Sequence, residues 1–407
     1  MSTPNYPSSS RSAAALAWPA ALALAAAMGI GRFAFTPVWP LMAQEAGLSL
    51  SQGSWLASAN YAGYLLGALA AVAWPIRRLR GTLAASLLAV ALLTLAMPVW
   101  HGMAVWCALR LAAGYASASA FICVAAWRAV PAGDPREAGA SAVTYAGVGA
   151  GIALTGLACL ALAAWDARAD TVWFALGALA LALSAIAWPG LRRQAAPMPA
   201  QSASAAAPAA RLPRDIPALA LHYGAFGVGY IIPATFLPAM AKETIPDPAI
   251  FGWAWPLFGM AAAVSCLLVP RLARGRDSVQ VWRAAQALMA LGMLAVALWH
   301  HIAAVIVAAV LVGGTFMVVT QAGMLAARRS AGAAAPRAAA LMTAAFAAGQ
   351  ILGPLLASWA AHWGAGLPQV LAASAALLAL SAWRLGKITT DDVAAGHNAI
   401  GPRARSH

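Results

Sequence analysis

Charge is scarce in this chain. Only 9% of its 407 residues are charged and 63% are apolar, which leaves too little polar surface to cover a water-soluble domain of this length. Lipid is therefore the solvent. Acid is scarcer still: the eleven carboxylates, Glu45, Glu137 and Glu243 among them, all fall in loops or at helix ends, so none is expected at mid-membrane. The four cysteines, Cys107, Cys123, Cys159 and Cys266, lie in apolar runs without paired spacing, which excludes a disulfide framework or a thiolate metal site. A Walker lysine loop is missing and the glycine clusters sit within apolar spans, so nucleotide-driven pumping is excluded and no cofactor or metal is expected. His101, His300 and His301 form the only histidine cluster near a membrane boundary, in short turns without adjacent acids. The chain does not read as an enzyme.

What the sequence has instead is positive charge, a formal +14. The basic residues occur as small arginine clusters between apolar spans, a pattern of membrane topology rather than of nucleic-acid binding. A crossing helix needs about 20 apolar residues, and runs bounded by charge, Pro, Gly or Trp place spans at 14–42, 53–75, 82–99, 103–126, 138–163, 171–189, 216–240, 249–270, 279–299, 302–326, 338–361 and 367–385. The expected fold class is an all-α membrane protein of twelve transmembrane helices. Its expected divisions are an N-terminal six-helix bundle (1–189), an Ala/Pro/Ser-rich cytoplasmic linker (190–215), a C-terminal six-helix bundle (216–386) and a tail (387–407). Arg11 and the Ala-rich run to Ala27 could pass for a cleavable signal, but cleavage there would remove half of the first span. Of the 25 Lys and Arg, 21 fall on the side of the termini and linker, some at span ends, and two, Arg168 and Lys242, on the other; Arg32 and Arg110 lie well inside their spans. Since cytoplasmic loops hold the basic excess, both termini are expected in the cytoplasm. Trp55, Trp74, Trp100, Trp127, Trp165, Trp188, Trp253, Trp299, Trp363 and Trp383 lie near span ends and suit an interfacial belt.

The chain also repeats itself. A shift of 198 lays Gly29-Ile30-Gly31 on Gly227-Val228-Gly229, Pro40 on Pro238 and Trp55 on Trp253; a shift of 199 lays Trp100-His101 on Trp299-His300, and Arg128 meets Arg328 at 200. Six spans per repeat is an even number, so the two copies share one orientation.

Arg32 and Arg110 lie roughly 10 to 16 Å below the helix ends on the side away from the termini. A guanidinium in lipid costs several kcal/mol. With no carboxylate at their depth, the missing counter-charge is expected from a ligand, a small organic anion gripped by the planar forks of Arg32 and Arg110. The alternative is that each bonds backbone carbonyls at a kink, such as those freed by Pro37 and Pro40 beside Arg32. Asn60, Tyr61 and Tyr64 join them as substrate-binding candidates, with Tyr230 opposite on the seventh span; Tyr223, Thr315 and Gln321 are weaker candidates. His222, the only histidine deep in an apolar span, is the candidate proton carrier. Gly63, Gly67, Gly114, Gly349, Gly353 and Pro354 are expected at close helix contacts. Glu45 and Glu243, repeat-related, are read as gating contacts or solvated caps.

The run Met28-Gly29-Ile30-Gly31-Arg32-Phe33-Ala34-Phe35-Thr36-Pro37, the run from Trp55 to Gly67 and the segment Gly349-Gln350-Ile351-Leu352-Gly353-Pro354 resemble the YbfB/YjiJ-type branch of the major facilitator superfamily. That resemblance implies a bacterial inner-membrane transporter whose first, fourth, seventh and tenth helices line a cavity between rocking halves. Arg110-Leu111-Ala112-Ala113-Gly114 is similar to the fourth-helix motif linked to proton movement. The loop after the second span keeps Arg77, Arg78 and Arg80 but lacks the usual Asp, and the fifth span lacks the proline of the antiporter signature. The function expected is thus secondary transport of a small organic anion or metabolite by a monomer in the lipid bilayer. A proton-coupled drug or amphiphile exporter is the alternative, and a non-transporting solute sensor the second.

Overall fold

Apolar stretches of this length can satisfy their backbone in lipid only as helices or closed barrels. The computed structural model describes residues 12–74, 76, 78–127, 130, 134–193, 212–244, 252–299 and 301–398, and among them there is no strand. The first six crossings are built from α1 (Ala13–Leu24), a π-helical turn (Ala25–Ile30), α2 (Phe35–Ala46), α3 (Leu50–Ala73), α4 (Leu79–Ala96), α5 (Met103–Ala126), α6 (Glu137–Ala163) and α7 (Ala169–Arg193). The second six are α8 (Asp215–Thr244), α9 (Ala254–Leu272), α10 (Ser278–Leu298), α11 (Ile302–Ala331), α12 (Ala335–His362) and α13 (Leu367–Asn398). Eleven helical runs are long and apolar enough to cross a membrane. One of them, Ala303–Ala360 with 58 residues, folds back through the 3-10 turn Gly332–Ala334, where Gly332 takes φ 52°, and so supplies two crossings. The chain therefore crosses twelve times, α1 and α2 together making the first. The shortest crossing, α4, has 18 residues, about 27 Å of rise against a hydrocarbon core of about 30 Å.

Local chemistry sets several helix ends. At α3 the Ser49 hydroxyl accepts from Gln52 N while Gln52 Oε1 accepts from Ser49 N, and Asp277 with Gln280 does the same at α10. The expected spans hold to within about five residues, except that α13 runs further, into the expected tail. Most of the linker, the end of the tail, Arg11, Arg77, Arg128, His300 and the side chain of Glu243 lie outside the described residues.

The internal repeat reappears as a repeat of packing. In the first half α1 packs on α6 and α7, α3 on α5, and α4 on α5 and α7; in the second α8 packs on α12 and α13, α9 on α11, and α10 on α11 and α13. Between the halves α6 meets α9 and the related pair α12 meets α3. Glycine permits the closest of these approaches. Gly63 lies against the Leu111 carbonyl, Gly67 against Tyr115 and Gly114 against the Asn60 carbonyl, which brings α3 and α5 into backbone contact. Gly349 and Gly353 do the same for α12 against Gly224 and Ile231 of α8, one residue before Pro354. Leu66, Leu92, Ile186, Leu257 and Ile306 point outward, as lipid-facing side chains must. Trp74, Trp165, Trp299 and Trp363 are exposed, but Trp127 is buried at 3% and does not belong to an outer belt.

Candidate functional site

The site begins with a break in the first crossing. Gly31 N bonds Ala26 O and Phe33 N bonds Met28 O, both five residues back, so the helix widens into a π turn. Beyond it Thr36 N bonds Phe33 O rather than Arg32 O. The carbonyls of Gly31 and Arg32 thereby lose their helical donors, and buried carbonyls require replacements.

Arg110 and Asn60 provide them. Arg110 Nη1 donates to Gly31 O at 3.4 Å and Nη2 to Arg32 O at 3.2 Å, while its guanidinium lies 5.0 Å from the Phe35 ring centroid. Asn60 Nδ2 donates to Gly31 O at 3.4 Å and to Arg110 O at 3.0 Å. Of the two buried arginines, then, Arg110 is the one that bonds kink carbonyls.

Arg32 faces the other way. It is 3% exposed, its guanidinium lies 3.9 Å from the Tyr64 ring centroid and 5.4 Å from that of Tyr61, and its Nη2 donates to Gln350 Oε1 on α12, across the two halves. Its Nε and Nη1 have no partner. Among the described residues no carboxylate pairs with Arg32 or Arg110.

Beside Arg32 the second half presents an aromatic wall. Phe33 meets Phe316 edge-on at 6.2 Å and Trp255 at 6.4 Å; Trp255 stacks on Phe258 at 5.6 Å, and Tyr230 stacks on Phe316 at 4.8 Å. Tyr230 thus joins the wall, and Tyr223 continues it through Phe226 and Phe346. The Trp255 indole N–H is buried without a partner. His222 lies apart from these groups, its Nδ1 2.9 Å from Ser381 Oγ of α13 within its own half. Thr315 bonds back to Leu311 O in its own helix, and Gln321 Oε1 is buried without a partner.

A second constellation ties the two halves together on the side of the termini. Glu137, at the start of α6 and 5% exposed, accepts from Arg328 Nη2 at 3.1 Å and from Arg329 Nη2 at 2.9 Å, both at the end of α11. Arg328 Nη1 also donates to Trp127 O at 3.1 Å. The neighbouring acid, Asp134, is engaged by Arg136, whose hydrogen bonds hold its carboxyl at about 2, below the usual range. Glu137 therefore carries the inter-half clasp. On the opposite side Glu45 accepts from Ala169 N at 2.9 Å and lies 3.8 Å from Arg168, both in the first half, so it caps α7. His101 does have an acid nearby: Asp170 of α7 folds to within 3.5 Å of its Nε2, a proximity that sequence adjacency concealed.

Gln350, Glu137, Arg328 and Arg329 were not singled out as site residues from the sequence. The signal for Gln350 was a lone amide in a long apolar run, and for Glu137 an acid on the strongly basic side of the topology.

Comparison with known proteins agrees with this architecture. The profile of the family described as "Uncharacterised MFS-type transporter YbfB" matches residues 24–384. No curated protein matches the sequence. The crystal structure of the human organic anion transporter MFSD10 (TETRAN) superposes with a TM-score of 0.70 at 14% identity, covering 93% of this chain and 100% of that one, a likeness of fold. With twelve crossings in two parallel repeats and a family match over nearly its whole length, the chain is a multi-pass membrane protein, a secondary transporter of small molecules and not an enzyme, and it belongs to the YbfB-type family of the major facilitator superfamily.

Proposed function

We propose that the protein transports a small organic anion by alternating access, with Arg32 as the anion-binding group. The observation that carries this reading is the Arg32 guanidinium itself, buried between the halves, with two unpartnered nitrogens and, among the described residues, no carboxylate to neutralise it. A buried unpaired charge is costly, and a carboxylate arriving as ligand supplies both the counter-charge and the acceptors. Gln350 occupies part of the guanidinium; an anion displaces this neutral acceptor and so changes the tie between the first crossing and α12. Asn60 and Arg110 hold the helix break that aims Arg32, and Tyr61 and Tyr64 flank it. The structural neighbour MFSD10, an organic anion transporter, lends support in the same direction.

The two bundles, 1–189 and 216–386, are proposed to rock about the α6–α9 and α12–α3 contacts. In the arrangement described, the Glu137 clasp closes the side of the termini. The excess of basic residues on that side supports placing it in the cytoplasm, and the family resemblance supports a bacterial inner membrane; a monomer is proposed. His222 is the proposed proton carrier in coupling. The aromatic wall favours a second reading, proton-coupled export of amphiphiles, in which Phe33, Trp255 and Tyr230 bind the substrate and Arg32 serves only to orient it.

Thermal unfolding of the purified protein with a panel of carboxylates and a panel of lipophilic cations separates the two. A ligand at 100 times its Kd stabilises by about 2.7 kcal/mol. Stabilisation by carboxylates, lost in Arg32→Ala, is expected; stabilisation by cations alone overturns the anion reading. Uptake of the best binder into vesicles with an imposed pH gradient then tests His222, whose replacement by Gln is expected to uncouple uptake from the gradient while leaving binding intact.

A further inference from the structure

A groove of about 810 Å³ lies away from the Arg32 site and runs between α10 and α13 on the outside of the second half. Its floor is alanine: Ala284, Ala287 and Ala290 from α10 face Ala372, Ala376 and Ala379 from α13. Leu291 and Trp383 on its rim are 56% and 53% exposed, so the furrow opens to the surrounding bilayer. Gln280 to Leu294, its extremes along α10, span roughly 21 Å at helical rise, and a furrow of that length follows lipid tails rather than a water path.

One end is different in chemistry. At the side of the termini the groove is lined by Arg276, Gln280, Arg283 and Trp383. Arg283 Nε donates to Ala382 O at 3.2 Å, which holds the guanidinium against Gly386, where any larger residue would collide with it. Arg384 lies 5.5 Å and Lys387 Nζ 4.0 Å from the Trp383 ring centroid. Among the described residues neither Arg276 nor Arg283 has a carboxylate within ion-pair distance, and Asp277 accepts the Gln280 N–H at the start of α10.

Two of these features are specific to the second half. At the 199-residue offset that aligns the repeats here, Ala287 corresponds to Leu88 and Arg283 to Ala84, while Arg276 corresponds to Arg77. The first half has a larger side chain where the second has a hollow, and an alanine where the second has the Arg283 guanidinium. The furrow and Arg283 are thus joint departures from the repeat, and Arg276 is the arginine that the repeat already supplies.

We infer that this groove is a binding site for an acidic phospholipid, its phosphate held by Arg276, Arg283 and Gln280 and one acyl chain laid along the alanine floor. A basic pocket between transmembrane helices at the headgroup level selects anionic lipid. The apolar length below it is what distinguishes a lipid from a free anion, and Trp383 sits where indoles settle between headgroups and tails.

Native mass spectrometry of the purified full-length protein titrated with phosphatidylglycerol or phosphatidylcholine tests the assignment. Preferential retention of phosphatidylglycerol is expected. Retention should fall about tenfold or more in Arg276→Gln/Arg283→Gln, which removes the charges, and comparably in Ala287→Leu, which fills the furrow with the residue of the first half and leaves the charges untouched. Thermal unfolding in phosphatidylcholine nanodiscs with and without phosphatidylglycerol should show stabilisation of the wild type that both variants lose, with their unfolding in phosphatidylcholine alone unchanged. Equal retention of the two lipids, full retention in either variant, the same stabilisation by inorganic phosphate, or a dimer that Ala287→Leu dissociates would each overturn the proposal, the last assigning the groove to a second copy of the chain.

Discussion

Arg32 and Arg110 are buried to nearly the same degree, 3% and 4% exposed, and serve opposite ends. Arg110 is bound to the backbone of its own half, two amines on two carbonyls that the broken first crossing leaves without donors. Arg32 reaches across to Gln350 and keeps two donors unpartnered. Burial of a charge in lipid therefore does not specify its role; the acceptors do. A guanidinium whose two terminal nitrogens are taken by main chain, with Nε alone left over, belongs to the architecture, and one held by a single neutral side chain of the other half is available to a ligand.

Replacing Arg110 is the harshest test of that contrast. Arg110→Ala leaves the buried Arg32 carbonyl without a donor, at about 1–3 kcal/mol, and the Gly31 carbonyl with only the 3.4 Å bond from Asn60, so the ligand-free protein should unfold several degrees lower or fail to accumulate, as thermal unfolding in detergent will report. Arg32→Ala should do the reverse: the ligand-free midpoint stays level or rises, because a costly buried cation is gone, while stabilisation by carboxylates disappears. Equal loss of ligand-free stability in the two variants would erase the distinction.

Arg328 and Arg329 make an intermediate case, arginines that reach across the halves to a carboxylate. Glu137→Gln leaves them without a counter-charge, and the proposed clasp should loosen. A cysteine at position 141 (Ser141→Cys), lining the small cavity beside Glu137, should then react with a water-soluble thiol reagent several-fold faster than in the Glu137 parent. The mildest change is expected at Tyr64. Tyr64→Phe keeps the ring under Arg32 and should alter anion affinity little, whereas Tyr64→Leu removes a cation–π contact of about 1–2 kcal/mol, a five- to thirty-fold weakening measurable by titration.

Span positions, the internal repeat and the cluster of Arg32, Asn60, Tyr61, Tyr64 and Arg110 were legible in the sequence, because helices in lipid must be apolar and polar exceptions stand out one by one. Partners contributed from the other half were not. Gln350 is one amide among many apolar neighbours, and only the packing of α12 on α3 brings it to Arg32. Glu137 lies 191 residues from Arg328 and 192 from Arg329, with nothing local to announce the bonds. The two roles of the arginines were also illegible, since both sit at comparable depth in comparable surroundings and differ only in which acceptors the π turn leaves within reach.

Where α6 crosses α9, main chain rests on main chain: a methyl placed on Gly149 would strike the backbone of Ala263, and one on Gly259 that of Ala153. Such a seam is a plain bearing rather than a row of gear teeth. Where these two glycines meet the facing backbone no side chain has to disengage for one bundle to tilt over the other, and Pro256 over Gly156 and Leu160 over Gly252 mesh further along, so the proposed rocking meets little steric friction at this point, and a single added carbon at either glycine would act as a shim wedged into the axle.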